Sequence, residues 1–170
     1  MELRTAVVLL ALAAVAAGFG DQLGVLDRLG GASPTEAGTA RVERVVDGDT
    51  IRVRLAGGTE TVRYIGVDTP ETKKPGTPVE CFGKRASAEN ERLVLGERVR
   101  LVVGAEPRDR YGRLLAYVRR DRDDLFVNER LLRGGFARTL TIAPNDRYET
   151  RFRLAEAGAR ATRTGLWGRC

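Results

Sequence analysis

Carboxylates gather in two tight segments of this chain, Asp47-Gly48-Asp49-Thr50 and Asp68-Thr69-Pro70-Glu71, each placed where a β-rich stretch meets a turn. Taken singly, Asp-Gly serves as a hairpin turn and Asp-Thr-Pro as an exit from a strand. Taken together, two such loops could supply a hard-cation site, since Ca²⁺ takes six or more oxygens from carboxylates, backbone carbonyls and water. Positive charge stands beside both: Arg63 precedes Asp68 on the same β-rich stretch, and Arg113 follows Tyr111-Gly112. Guanidinium forks match phosphate oxygens and stabilise charge that develops on them. An acidic metal site flanked by two arginines is therefore what hydrolysis of a phosphodiester requires.

Composition narrows the chemistry from the other side. The chain has no histidine, which removes Ser-His-Asp hydrolysis, His-based zinc sites and imidazole general bases. Cys81 and Cys170 are too few for a four-ligand metal site and are either two free thiols or one disulfide. The 29 Lys and Arg against 23 Asp and Glu give a net charge of +6 over 170 residues, and every base except Lys73, Lys74 and Lys84 is Arg. A small basic domain favours a polyanionic partner, nucleic acid or an anionic membrane surface.

At the N-terminus, an unbroken run of small and apolar residues from Ala6 to Gly20 follows Arg4 and ends at Asp21. It is short for a bilayer span, which needs about 20 residues, and fits a signal-peptide core of roughly 7–15. Residues 1–20 thus read as a signal peptide or an N-terminal membrane anchor, which places the remainder outside the cytoplasm, secreted or held at the outer membrane face. Residues 21–40, with Gly30-Gly31-Ala32-Ser33-Pro34, read as a flexible linker, and 41–170 as one folded domain.

The elements that must position the acidic loops follow from periodicity. Val42, Val45 and Val46 before the Asp47–Thr50 turn, and Ile51, Val53 and Leu55 after it, predict a hairpin; 61–67 predicts a third strand after Gly57-Gly58. A helix is expected from Val79 to Leu95, strands at 98–103 and 114–118 around a loop at 106–112, and a short helix at 127–133. Tyr148, Phe152, Ala155 and Ala159 form the core stripe of a last helix. Strands early and helices late, with about five short antiparallel strands, point to an α+β domain built on a small closed barrel of the OB type.

Four ordered motifs carry a resemblance. Val46–Thr50, Arg63–Thr72, Asp109-Arg110-Tyr111-Gly112-Arg113 and Val127-Asn128-Glu129 resemble the staphylococcal nuclease-like (thermonuclease) family over about residues 41–168, closing on Gly165-Leu166-Trp167. The resemblance implies a five-stranded OB barrel with three helices and a monomeric Ca²⁺-dependent endonuclease that cuts DNA and RNA to leave 3′-phosphate ends. It implies that Asp49, Asp68 and the Thr69 carbonyl bind Ca²⁺, with Asp47 acting through water behind them. Glu71 would position or deprotonate the attacking water, and Arg63 and Arg113 would hold the phosphate, Arg113 on the side of the leaving 5′-oxygen. Arg110 and Tyr111 are substrate-binding candidates. The segment Leu140-Thr141-Ile142-Ala143-Pro144 lacks the base-flanking aromatics of well-known members, a loss of about 1–3 kcal/mol per platform. The alternative function is a non-catalytic nucleic-acid-binding module, whose signature would be substituted metal or arginine positions. In an exported protein, Cys81 and Cys170 are expected to form a disulfide.

Overall fold

The computed structural model describes residues 36–72, 76 and 78–170, all within the unit Pro34–Cys170. The apolar segment 1–20, and residues 21–35 of the stretch read as a linker, lie outside the described residues.

Alternation builds the barrel. In β2 (Thr50–Leu55), Ile51 and Val53 are fully buried while Arg52 and Arg54 face solvent, the period-two pattern of a strand with one face on a core. β2 pairs antiparallel with β1 (Glu36–Asp47) on one edge and with β3 (Gly58–Tyr64) on the other. Register irregularities between Val42 and Arg44 and between Val45 and Asp47 bend β1, as bulges do. The bent strand also pairs with β5 (Arg98–Arg108). β6 (Leu114–Arg120) lies antiparallel to β5 and parallel to β3, closing a five-stranded barrel in the order β1-β2-β3-β6-β5.

Three helices cover it: α1 (Gly83–Val94), α2 (Val127–Arg133) and α3 (Glu149–Ala161), followed by the single turn α4 (Leu166–Arg169). Leu93 and Val94 of α1, Leu131 and Leu132 of α2 and Phe152 of α3 join the barrel's Val42, Ile51, Val62 and Leu101 in one core. Phe152 sits in a cluster with Tyr117, Phe126 and Tyr148, whose closest rings meet edge-on at 4.7 Å, a favoured aromatic geometry. The architecture is the α+β, OB-type barrel with three helices expected from the sequence.

The boundaries differ in instructive places. β1 begins at Glu36, and Ala40 is buried, so strand structure reaches into the stretch read as linker. α1 begins at Gly83, not Val79, because Phe82 takes the left-handed φ of 72° and cannot continue a right-handed helix. β5 runs through the expected loop to Arg108 after a register break beyond Val103. The expected strand 61–67 is two: β3 ends at Tyr64, and β4 (Gly66–Asp68) leaves the barrel to pair with the unforeseen β7 (Arg138–Leu140). Gly66 makes that break possible, with φ 78° and a bare Cα onto which Phe152 packs; a Cβ there would stand 2.5 Å from the ring.

Cys81 and Cys170, 89 positions apart in sequence, form a disulfide with Cα atoms 5.9 Å apart. In the chain-entropy view, closing a loop of that length stabilises the fold by about 4–5 kcal/mol.

Candidate active site

The site begins with a close approach that only glycine permits. A Cβ on Gly48 would lie 2.6 Å from the Thr69 hydroxyl, so the bare backbone lets the second acidic loop close over the first. Thr69 then donates both its N–H (2.8 Å) and its hydroxyl (2.9 Å) to Asp49 Oδ2. Asp49, 5% exposed, also accepts from the Thr50 hydroxyl at Oδ1. Asn90 on α1 braces the same turn from behind: its amide donates to the Asp47 carbonyl, and its Oδ1 accepts from the buried Tyr64 hydroxyl.

Arg63, near the end of β3, joins the two loops. Its Nε lies 3.2 Å from Asp49 Oδ1 and its Nη2 3.0 Å from Asp68 Oδ1, while Nη1 donates to the carbonyls of Tyr64 and Val67. One guanidinium thus ties the β3–β4 break to both carboxylates. Burial, and then the charge of Asp49, push the Asp47 carboxyl up to about 6. Burial also raises Asp68, against the pull of Arg63. Both carboxyls thus resist ionisation chiefly because they are buried.

A cleft of about 420 Å³ opens beside Arg63. Arg110, Tyr111 and Arg113 from the β5–β6 loop line it too, as do Leu140 and Ile142. Asp109 organises that loop: one carboxylate oxygen accepts from the N–H groups of Tyr111 and Arg113, and the other takes Arg113 Nε at 2.6 Å. Burial opposes the Asp109 charge, but these bonds more than offset it and hold the carboxyl below its usual range. Arg113 is held through Nε alone among the described residues, so its two terminal nitrogens remain for a ligand. Its guanidinium and that of Arg110 both stack on Tyr111, which is 67% exposed.

Residues 61–169 match the family described as staphylococcal nuclease homologue. The chain belongs to the staphylococcal nuclease family. Among relatives of this nuclease-family chain, the thermonuclease of Staphylococcus intermedius is 45% identical over 128 residues, 75% of each chain. The thermonuclease of Staphylococcus hyicus is 42% identical over 137 residues, covering 81% of this chain and 80% of the relative. Endonuclease YncB of Bacillus subtilis is 43% identical over 130 residues, 75% of this chain and 61% of the relative.

In this member of the staphylococcal nuclease family, Asp49 and Asp68 meet at Arg63, Thr69 and Asp47 are each hydrogen-bonded to Asp49, and Arg113, Arg110 and Tyr111 share the adjoining cleft with Arg63. Glu71 stands on the turn that follows Thr69-Pro70. Its Oε1 accepts from the Thr72 N–H, and it is clasped to Glu80: the Glu71 N–H donates to the Glu80 carboxylate and the Glu80 N–H to the Glu71 carbonyl. Sequence reasoning missed the positioning roles of Asn90 and Glu80, which lie outside the motifs, and of Asp109, which lies inside one. Only Asp109 carried a signal, as the first residue of the motif that ends in Arg113. Asn128 of the fourth motif is structural, bridging the Val118 N–H and the Ile65 carbonyl.

The donor set fits a hard cation. The Asp49 and Asp68 carboxylates and the Thr69 carbonyl are all oxygen, and Asp68 Oδ2 and the Thr69 carbonyl have no hydrogen-bond partner among the described residues. No three His, Cys, Asp or Glu side chains among the described residues close into a metal cluster, so phosphate and water would supply the other ligands of a six-or-more-coordinate ion.

Proposed function

We propose that this nuclease, a hydrolase of phosphodiester bonds, is a Ca²⁺-dependent endonuclease that acts on DNA and RNA and leaves 3′-phosphate ends. The observation that carries the reading is Arg63 spanning Asp49 and Asp68 beside a cleft that Arg113 also lines. Asp49, Asp68 and the Thr69 carbonyl would hold the ion. Bound there, Ca²⁺ would supply polarisation of the phosphate and acidification of its water.

The chain's own groups do the rest. Arg63 and Arg113 hold the phosphate, fixing it for in-line attack and meeting the charge that grows on its oxygens. Glu71 accepts the proton of the attacking water as the new P–O bond forms. The P–O5′ bond breaks, and its electron pair leaves on the 5′-oxygen beside Arg113, which becomes a hydroxyl on gaining a proton. Tyr111 offers an exposed ring to the base or sugar, with Leu140 and Ile142 as apolar lining in place of further aromatic platforms. The alternative of a non-catalytic module loses its basis, because no acid or arginine of the set is substituted.

The reading extends to compartment. Residues 1–20 act as an export signal or anchor and 21–35 as a tether, and the Cys81–Cys170 disulfide suits an oxidising space outside the cytoplasm. No helix among the described residues is long and apolar enough to cross a membrane.

Digestion of single-stranded DNA and of RNA, with Ca²⁺ and then with excess chelator, tests the function. Cleavage of both with Ca²⁺, its loss on chelation, and termini that accept label only after phosphatase removes a 3′-phosphate are the expected results. Undiminished cleavage in chelator would overturn the metal, and 5′-phosphate ends would overturn the bond assignment.

A further inference from the structure

We propose that a groove between the start of α1 and the α3–α4 connection is a second binding site for a nucleic-acid strand, distinct from the cleavage cleft. This rests on the nucleic-acid reading above and extends it to a surface that the mechanism does not use. The groove measures about 570 Å³, and no acidic residue lines it. Arg130 and Arg133 on its wall are ion-paired with Glu89 and Glu129. Arg85, Arg163 and Arg169 are different: all three are exposed, and none has a carboxylate within ion-pair distance among the described residues. Arg54 and Arg108 of the barrel, by comparison, are ion-paired with Glu43 and Glu60.

The floor is aromatic. Phe82 and Phe136 lie with ring centroids 5.5 Å apart, and Arg85 stacks over Phe82 at 5.3 Å. Unpaired guanidinium forks beside half-buried aromatic faces are the combination that binds a single strand, forks on phosphodiester oxygens and rings on unstacked bases.

Backbone conformation points to the same place. Three non-glycine residues among those described have positive φ, and two of them, Phe82 at 72° and Arg163 at 50°, line this groove. L side chains rarely adopt that backbone conformation, and such residues concentrate at ligand clamps. The disulfide fixes both rims, since Cys81 adjoins Phe82 and Cys170 adjoins Arg169. The groove is thus held open in advance of binding. It also lies along the chain from the cleavage site, because Glu80, two residues before Phe82, is clasped to Glu71.

Two variants test the proposal: Arg85→Gln with Arg163→Asn and Arg169→Gln, where Asn tolerates the left-handed backbone, and Lys84→Gln with Arg85→Gln, confined to the exposed face of α1. The probe is a fluorescein-labelled 30-nucleotide oligo(dT), bound in chelator so that nothing is cut, over a series of NaCl concentrations. For the triple variant, Kd should rise about tenfold or more, and the slope of log K against log salt should become shallower by about 2, near 0.7 for each lost phosphate contact. The double variant should move the same way by less, and kcat/KM on a trinucleotide with Ca²⁺ should be unchanged in both. Unchanged Kd and slope in both variants would overturn the proposal, as would an equal loss on the trinucleotide. Loss of binding to anionic phosphatidylglycerol vesicles with oligonucleotide binding intact would overturn it in favour of a membrane surface. A parent chain that binds the 30-mer through these arginines yet cleaves nothing with Ca²⁺ would support the groove while removing the endonuclease reading.

Discussion

Asp68→Asn is expected to abolish Ca²⁺-dependent cleavage, lowering it by at least a thousandfold, with almost no change in thermal stability. The two effects separate because of where the carboxylate stands. Its side chain is 53% exposed and makes one ion pair, to Arg63, and pairs of that kind contribute about 0–1 kcal/mol. Asn keeps the size and removes the charge that a divalent cation needs. Asp49→Asn should be equally inactive but also less stable, by about 1–3 kcal/mol. Asp49 is buried, and its two oxygens accept from the Thr69 N–H and hydroxyl and the Thr50 hydroxyl beside Arg63. An amide nitrogen placed there faces donors on either side. Cleavage assays beside thermal melts check both, and full activity in either variant would remove the metal assignment.

The arginines should divide in the same fashion. Arg113→Lys is expected to lower kcat/KM by about 10²–10³, the usual loss when one donor to a developing oxyanion is removed, with little effect on melting. Its Nε bond to Asp109 spans four residues and its side chain is 31% exposed. Arg63→Lys should lose at least as much activity and melt at lower temperature. The Arg63 side chain is 13% exposed and makes four contacts in different directions, two to carboxylates and two to backbone carbonyls. A lysine ammonium cannot reproduce that fan. Rate losses of the same size on neutralising Arg122, an exposed residue paired with Glu97, would argue instead for bulk electrostatics.

Arg122 is the appropriate control because Arg119 and Arg120, earlier in the same run, are held in the fold. The run Arg119-Arg120-Asp121-Arg122-Asp123-Asp124 reads as a surface loop, yet Arg119 and Arg120 complete β6, and Arg120 is 8% exposed. Arg120 forks onto Asp123 and donates to the Leu93 carbonyl, tying β6 to the end of α1. Local charge density predicts exposure, and here a partner 27 positions away reverses it.

That contrast explains what the sequence makes legible. The acidic loops are readable because short-range chemistry fixes them: Gly48 and Pro70 punctuate alternating strands, and the carboxylates fall where the punctuation falls. The barrel is readable because Ile51, Val53 and Val62 alternate with charged residues at a period of two. The devices that aim the site depend on contacts distant in sequence. Asn90 is one polar residue on an amphipathic helix, and only the fold sets its amide on the Asp47 carbonyl, 43 positions away. β7 has three residues and no alternation to announce it, and it becomes a strand because β4, freed at Gly66, lies beside it. The start of α1 is displaced for the same kind of reason: Phe82 is drawn onto Phe136 and held beside the disulfide, at a φ that no helix pattern predicts.

On this mechanism Asp49, Asp68 and Thr69 hold a hard cation where Arg63 and Arg113 hold phosphate. The most direct measurement is a crystal structure of this chain with Ca²⁺ and a non-hydrolysable nucleoside 3′,5′-bisphosphate. One ion is expected with the Asp49 and Asp68 carboxylates and the Thr69 carbonyl at roughly 2.3–2.6 Å, and a phosphate on that ion contacted by both Arg63 and Arg113. An ion bound away from these oxygens, or a phosphate that touches neither arginine, would contradict it.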